Sequence, residues 1–107
     1  MSLSSRYFLD LTQPEIAAQL KKNPLVILPQ GSVEQHGPHL PAGTDIFAAN
    51  VIAHAVAERM YCLVLPGGPL GVTPIHMPFE STITLSPETY IQLVVETCAS
   101  MAKHGAQ

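Results

Sequence analysis

The sequence predicts an α/β fold with a largely parallel sheet, on three observations. Leu25-Val26-Ile27-Leu28 and Tyr61-Cys62-Leu63-Val64-Leu65 are continuous apolar runs of the kind buried on both faces of a parallel sheet. Between them, Ile46, Ala49, Ile52, Ala53, Val56 and Met60 recur at helical spacing. Strand, crossover helix and strand form a βαβ unit, whose handedness rule sets the two strands parallel. The 107 residues hold material for one small domain and not for two.

In chain order, Thr12 with Glu15 three residues later is a capping-box signature. Ile16, Leu20 and the alanines carry this first helix to Lys22, and Asn23-Pro24 stops it. Leu25 to Leu28 is the first core strand, broken by Pro29-Gln30-Gly31. The crossover helix spans Asp45 to Met60, with Thr44 or Asp45 placed to cap it. After the second strand, Pro66 to Phe79 begins so rich in glycine and proline that it reads as an irregular loop, and Thr82-Ile83-Thr84-Leu85 alternates as a short strand. Ser86 caps and Pro87 opens a third helix, whose apolar stripe of Ile91, Leu93, Val94, Val95, Cys98 and Met101 ends at Lys103-His104-Gly105. A βα pattern closing on glycine hands over to another strand, so the chain reads as a domain truncated after its third helix. Met1-Ser2-Leu3 is set aside as a candidate cloning remnant.

Composition narrows the function. Hydrophobic residues make up 47% and charged residues 12%, which leaves apolar surface to be covered by another chain or a missing segment. A homo-oligomer is therefore expected. The net charge is −3 and the five Lys and Arg residues are scattered, which argues against nucleic acid and against an anionic membrane. No run approaches the roughly 18 to 20 apolar residues of a membrane span, and the N-terminus lacks a signal-peptide layout, so a cytoplasmic location is expected. Cys62 and Cys98 have no nearby cysteine and read as buried reduced thiols.

The chemistry is concentrated between Gly31 and Asp45, where Glu34, His36, His39 and Asp45 lie among glycines and prolines directly after the first strand. Open α/β sheets bind ligands at the carboxyl ends of their strands. Imidazole and carboxylate groups suit zinc or manganese. On an extended segment Glu34 and His36 point the same way, and Asp45 arrives at a helix N-terminus that stabilises its charge. With two oxygens, Asp45 has the capacity to bridge two ions about 4 Å apart, as in two-metal hydrolases. Taken singly, Glu34 and His36 read more readily as solvated loop groups and Asp45 as a cap; their clustering weakens that reading in favour of the metal. His39, between two prolines, reads as a group supporting the ligands, and His76 and Glu80, in the loop above the same edge, as groups facing a substrate. His54 and His104 sit on or at the end of helices and Tyr90 follows helical packing, without a chemical role.

The run Gly31-Ser32-Val33-Glu34-Gln35-His36-Gly37-Pro38-His39-Leu40-Pro41, with Gly43-Thr44-Asp45, strongly resembles the creatininase (creatinine amidohydrolase) family. His76, Phe79 and Thr82 to Thr89 look like the family's second block, except that Glu80-Ser81 stands where members commonly carry Pro-Gly. The resemblance runs the length of the chain and corresponds to the N-terminal part, residues 1–107, of a single metal-hydrolase domain. It implies a three-layer α/β/α fold and two divalent ions, zinc or manganese, that activate water to hydrolyse a cyclic amide or related C–N bond. Glu34 is then expected to hold one ion, His36 the other, and Asp45 both. Further ligands, beginning with an Asn-x-His-Gly-Gly-Asn type motif, and the catalytic histidine are expected downstream of Gln107. The substrate is expected to be a small-molecule amide, and relatives are usually hexamers. The alternative is a catalytically incomplete fragment that serves as a structural or oligomer subunit.

Overall fold

Alternation along two short parallel strands decides how the chain packs. In the computed structural model, which describes residues 3–107, β1 (Val26–Ile27) lies beside β2 (Leu63–Val64), with Val26 opposite Leu63 and Ile27 opposite Val64. Successive strand side chains point to opposite faces. One face, with Leu25, Ile27, Cys62 and Val64, packs on Ala53 and Ala57 of helix α2 (Thr44–Met60). The other, with Val26, Leu28, Leu63 and Leu65, packs on Ile16 and Leu20 of helix α1 (Gln13–Lys22) and on Met101 of helix α3 (Pro87–Lys103). Helices thus cover both faces of the sheet, which is the three-layer α/β/α arrangement. Cys62, Leu63 and Val64 are fully buried at its centre.

The helices form where local chemistry satisfies their ends. At α1 the Thr12 hydroxyl accepts from the Glu15 N–H while the Thr12 N–H donates to the Glu15 carboxylate at 2.8 Å, a complete capping box. Ser86 caps α3 by accepting from the Thr89 N–H at 3.2 Å, with Pro87 in the first turn. The carbonyls at the end of α2 are taken up by the side chains of Gln19 in α1 and of Asn23 just after it. Gln19 donates to the Tyr61 carbonyl at 2.7 Å, and Asn23 donates to the Met60 and Tyr61 carbonyls at 3.0 and 3.2 Å. These bonds hold the chain as it leaves α2 through Tyr61, whose φ of 54° is left-handed.

Several expectations are corrected. The two apolar runs yield ladders of only two residues each, because Tyr61 is consumed by the α2 terminus and Pro29 and Pro66 carry no N–H to extend the pairing. Thr82 to Leu85 is not a strand; it forms single bridges, Ile83 to Val33 antiparallel and Thr84 to Gly71 parallel. Neither Thr44 nor Asp45 caps α2. The helix begins at Thr44 with Gly43 before it, and the Thr44 hydroxyl instead donates to the Pro41 carbonyl at 2.6 Å. Cys98 is exposed rather than buried. The covered side of α3 runs through Tyr90, Val94, Thr97 and Met101, and Cys98 lies one position round from it with Ile91 and Val95.

Both flanks of the sheet carry further backbone contacts: the Val64 N–H donates to the Arg6 carbonyl and the Gln107 N–H to the Pro24 carbonyl, each at 2.9 Å. The radius of gyration is 15.6 Å, against about 13 Å for a compact chain of this length. The excess reflects helix faces left uncovered, with Phe47, Val51 and Ile52 of α2 and Ile91 and Val95 of α3 all exposed. Among the described residues no helix is long and apolar enough to cross a membrane.

The two thiols should therefore differ in reactivity. Burial pushes the Cys62 thiol up from its ordinary pKa, so it stays neutral and shielded, whereas Cys98 is open to solvent. Mass analysis after brief alkylation under native conditions should find Cys98 modified and Cys62 untouched until denaturant is added; equal labelling would contradict this packing.

Candidate metal centre

The site is assembled at the carboxyl end of β1 by a close approach of backbones. A Cβ added to Gly31 would lie 2.8 Å from the nitrogen of Ile46 in the first turn of α2, and one added to Gly71 would lie 2.6 Å from the Gly31 carbonyl oxygen. Only glycine allows both contacts. Past Gly31 the chain is held by the Val33–Ile83 bridge, in which the Ile83 N–H donates to the Val33 carbonyl at 2.9 Å. Glu34 and His36 follow, and the chain then turns back through Gly37 at a φ of 73°.

This path brings Glu34, His36 and Asp45 together, each offering a ligand atom within 4.8 Å of the others. His36 Nε2 lies 3.4 Å from Asp45 Oδ1, yet it is buried and has no hydrogen-bond partner. A buried polar atom without a partner is costly, and most such atoms in folded proteins are satisfied. Two carboxylates also face each other here. A divalent cation would satisfy all three groups at once, so the donor set fits zinc or manganese.

Neighbours orient the carboxylates from outside. The Ser32 hydroxyl donates to Asp45 Oδ2 at 2.8 Å, and the buried Thr73 hydroxyl donates to Glu34 Oε2. The Ser32 hydroxyl holds the Asp45 carboxyl below its ordinary pKa; partial burial opposes this, while Glu34 and His36 add to the lowering. Asp45 also stands in the first turn of α2, where a negative charge is favoured.

His76, on a short 3-10 turn from Pro74 to His76, places Nε2 3.6 Å from Glu34 Oε2 and Nδ1 3.0 Å from Gln35 Nε2. His39 and Glu80 are exposed and stand outside the cluster. His54 tilts against Tyr7 with ring centroids 5.4 Å apart, and His104 ends α3. The Tyr90 hydroxyl donates to the Gln30 side chain at 3.1 Å. Ser32, Gln35 and Thr73 were not singled out from the sequence. Ser32 shares the side of the extended segment that carries Glu34, which is a usable signal; Thr73 is brought in by tertiary structure and has none. An apolar cleft of about 420 Å³ between α1 and α3, lined by Phe8, Ile16, Leu20, Met101 and His104 among others, contains none of Glu34, His36, Asp45 and His76.

Fold and site together define an α/β domain with a histidine–carboxylate cluster at a strand end. The creatinine amidohydrolase (Creatininase) family pattern matches residues 9–107, and the chain belongs to that family. It is 33% identical over 100 residues to the 3-dehydro-scyllo-inosose hydrolase of Thermotoga maritima, covering 92% of this chain and 32% of that protein. It is 31% identical over 104 residues to the creatinine amidohydrolase of Pseudomonas putida, covering 92% of this chain and 40% of that one. The manganese form of creatininase superposes with a TM-score of 0.91 at 29% identity, over 96% of this chain and 42% of the other. A Zn-Zn type creatininase gives 0.90 at the same identity of 29%, over 97% and 43%. The chain thus spans about a third to two fifths of the length of the relatives it matches.

The Ser32 contact makes a prediction with a definite sign. Because the native pKa of Asp45 is lowered, its carboxylate stabilises the fold above the ordinary value of about 3.9, and that contribution is lost as pH falls through the lowered value. Ser32→Ala should raise the Asp45 pKa and move this loss to higher pH, as read by carbon-13 titration of the Asp45 carboxyl. An unchanged midpoint would show that Ser32 does not hold it.

Proposed function

We propose that this chain is part of a metal-dependent hydrolase acting on an amide or related C–N bond, with Glu34, His36 and Asp45 as ligands to two divalent ions. The observation that carries the reading is His36 Nε2, buried and unpartnered beside two carboxylates. The donor set suits zinc or manganese, and the similar creatininases include a manganese form and a Zn-Zn type. In this reading Glu34 serves one ion, His36 the other and Asp45 both. When bound, the metal pair supplies Lewis-acid polarisation of a carbonyl and acidification of water.

The chain's own residues set the conditions for that chemistry. Ser32 and Thr73 each hold one oxygen, of Asp45 and of Glu34, so that the other oxygen of each is left for a cation, and Asp45 Oδ1 already faces His36. The two carboxylates supply charge that offsets the cations. His76, at the edge of the site, faces the substrate side, and Ile75, Met77 and Phe79 around it present an exposed apolar wall to an uncharged amide. His39 and Glu80 lie further out and act on the substrate's approach. Three ligands shared by two ions leave each with about two protein bonds, where catalytic zinc usually has three. The remaining ligands, and the group that protonates the leaving nitrogen, come from beyond Gln107 or from a second chain. The exposed apolar faces of α2 and α3 support a homo-oligomer, and the same reading puts it in the cytoplasm.

That coordination deficit favours one other reading, in which these residues form a catalytically incomplete subunit that binds metal weakly. Metal content decides between them. After desalting, inductively coupled plasma mass spectrometry should find about two zinc or manganese ions per chain, and Asp45→Asn should lose both together with amide hydrolysis. Near-zero metal in the unmodified protein would favour the incomplete subunit, and retention of both ions by Asp45→Asn would refute the bridging role.

A further inference from the structure

The hydrogen bonds around Gln35 fix more than a loop. Its side-chain Oε1 accepts from the Gly37 N–H at 2.9 Å. A backbone N–H can only donate, so this bond assigns the oxygen of the amide and turns the NH₂ group the other way. There it meets His76 Nδ1 at 3.0 Å. An amide NH₂ also only donates, so Nδ1 must present its lone pair, and the proton of the neutral ring must sit on Nε2. That proton faces Glu34 Oε2 at 3.6 Å, longer than a hydrogen bond but a favourable electrostatic contact. The same Oε2 accepts from the hydroxyl of Thr73, a buried residue. Among the described residues no hydrogen bond reaches Glu34 Oε1.

We propose that Gln35 is a positioning residue that sets the tautomer of His76, so that His76 and Thr73 together engage one oxygen of Glu34 and leave the other free for the cation. The chain runs Gly37 N–H, Gln35 amide, His76 ring, Glu34 carboxylate, and each link has one polarity. Reversing any link reverses those after it. With the opposite tautomer, the Nε2 lone pair would face the carboxylate, and Glu34 would swing away from it and from the metal position. This gives Gln35, whose side chain lies between Glu34 and His36 in sequence but turns away from the cluster, a reason to be an amide and not a carboxylate. The inference rests on the metal-site reading only for its consequence, since the tautomer is a property of the metal-free protein.

The test is a long-range proton–nitrogen correlation spectrum of metal-free protein labelled at histidine, with the His76 signals identified by their loss in His76→Gln. The unmodified protein should show His76 protonated at Nε2. Gln35→Glu places an acceptor opposite Nδ1 and should put a proton on that nitrogen, reversing its role from acceptor to donor. Calorimetric zinc titration should then show about a 10- to 100-fold loss of affinity for Gln35→Glu and for Thr73→Val, with Thr73→Ser restoring it because the hydroxyl returns. A His76 ring protonated only at Nδ1 in the unmodified protein, or a tautomer unmoved by Gln35→Glu, overturns the proposal whatever the zinc affinity. Correct tautomers and reversal in a protein that binds no zinc would support the switch and overturn the metal-site reading instead.

Discussion

Everything at the candidate site depends on how closely three pieces of backbone meet at Gly31. The first turn of α2 presses on one side of it, and the loop residue Gly71 presses on the other. A single methyl group at either glycine would force main chain apart, since the clashing atoms are backbone and have nowhere to rotate. Because the contact is that close, Asp45 on α2, Glu34 and His36 beyond β1, and Thr73 and His76 beyond Gly71 converge at one point. The layers beneath hold this point still: α2 is anchored by Ala53 and Ala57 on one face of the sheet and tied at its far end by Gln19 of α1 and by Asn23 just after that helix. The site is therefore built at the ends of rigid elements, where small errors in placement are smallest.

Electrostatics gives the arrangement its direction. Two carboxylates brought together at the end of a sheet repel, and each has one oxygen committed to a hydroxyl donor, Ser32 for Asp45 and Thr73 for Glu34. Those donors orient the two groups, and Ser32 also holds the Asp45 carboxyl below its ordinary pKa, yet they leave His36 Nε2 buried without a partner. A buried polar nitrogen without a hydrogen-bond partner costs stability, even 3.4 Å from a carboxylate. The cost makes sense if a cation normally completes the set. The chain belongs to the creatininase family and superposes on manganese and zinc-zinc creatininases.

Much of this was legible in the residues, for identifiable reasons. Thr12 and Glu15 announce α1 because a capping box is a local bargain that tertiary structure has no cause to break. The two apolar runs announce buried strands, and the parity of Leu25 and Ile27 against Val26 and Leu28 already separates the two faces. Strand length was less legible, because the flanking Tyr61, Pro29 and Pro66 are governed by a helix end and by absent donors and not by apolar pattern. Cys98 was misplaced because α3 carries apolar residues around more of its circumference than the sheet covers, so periodicity alone does not say which side is inside. In the site, Glu34, His36 and Asp45 stood out by residue type and spacing, and the structure brings them within reach of one another. Thr73 and the orientation of Gln35 did not, since an ordinary threonine and glutamine become meaningful only once the loop folds over the strand end.

The central claim is that Glu34, His36 and Asp45 converge on metal. The most direct measurement is anomalous diffraction at the zinc edge from crystals of the protein grown with zinc. The account predicts anomalous peaks between these three side chains, with His36 bound through Nε2. Zinc peaks only at other residues, with His36 Nε2 still unpartnered, would contradict it.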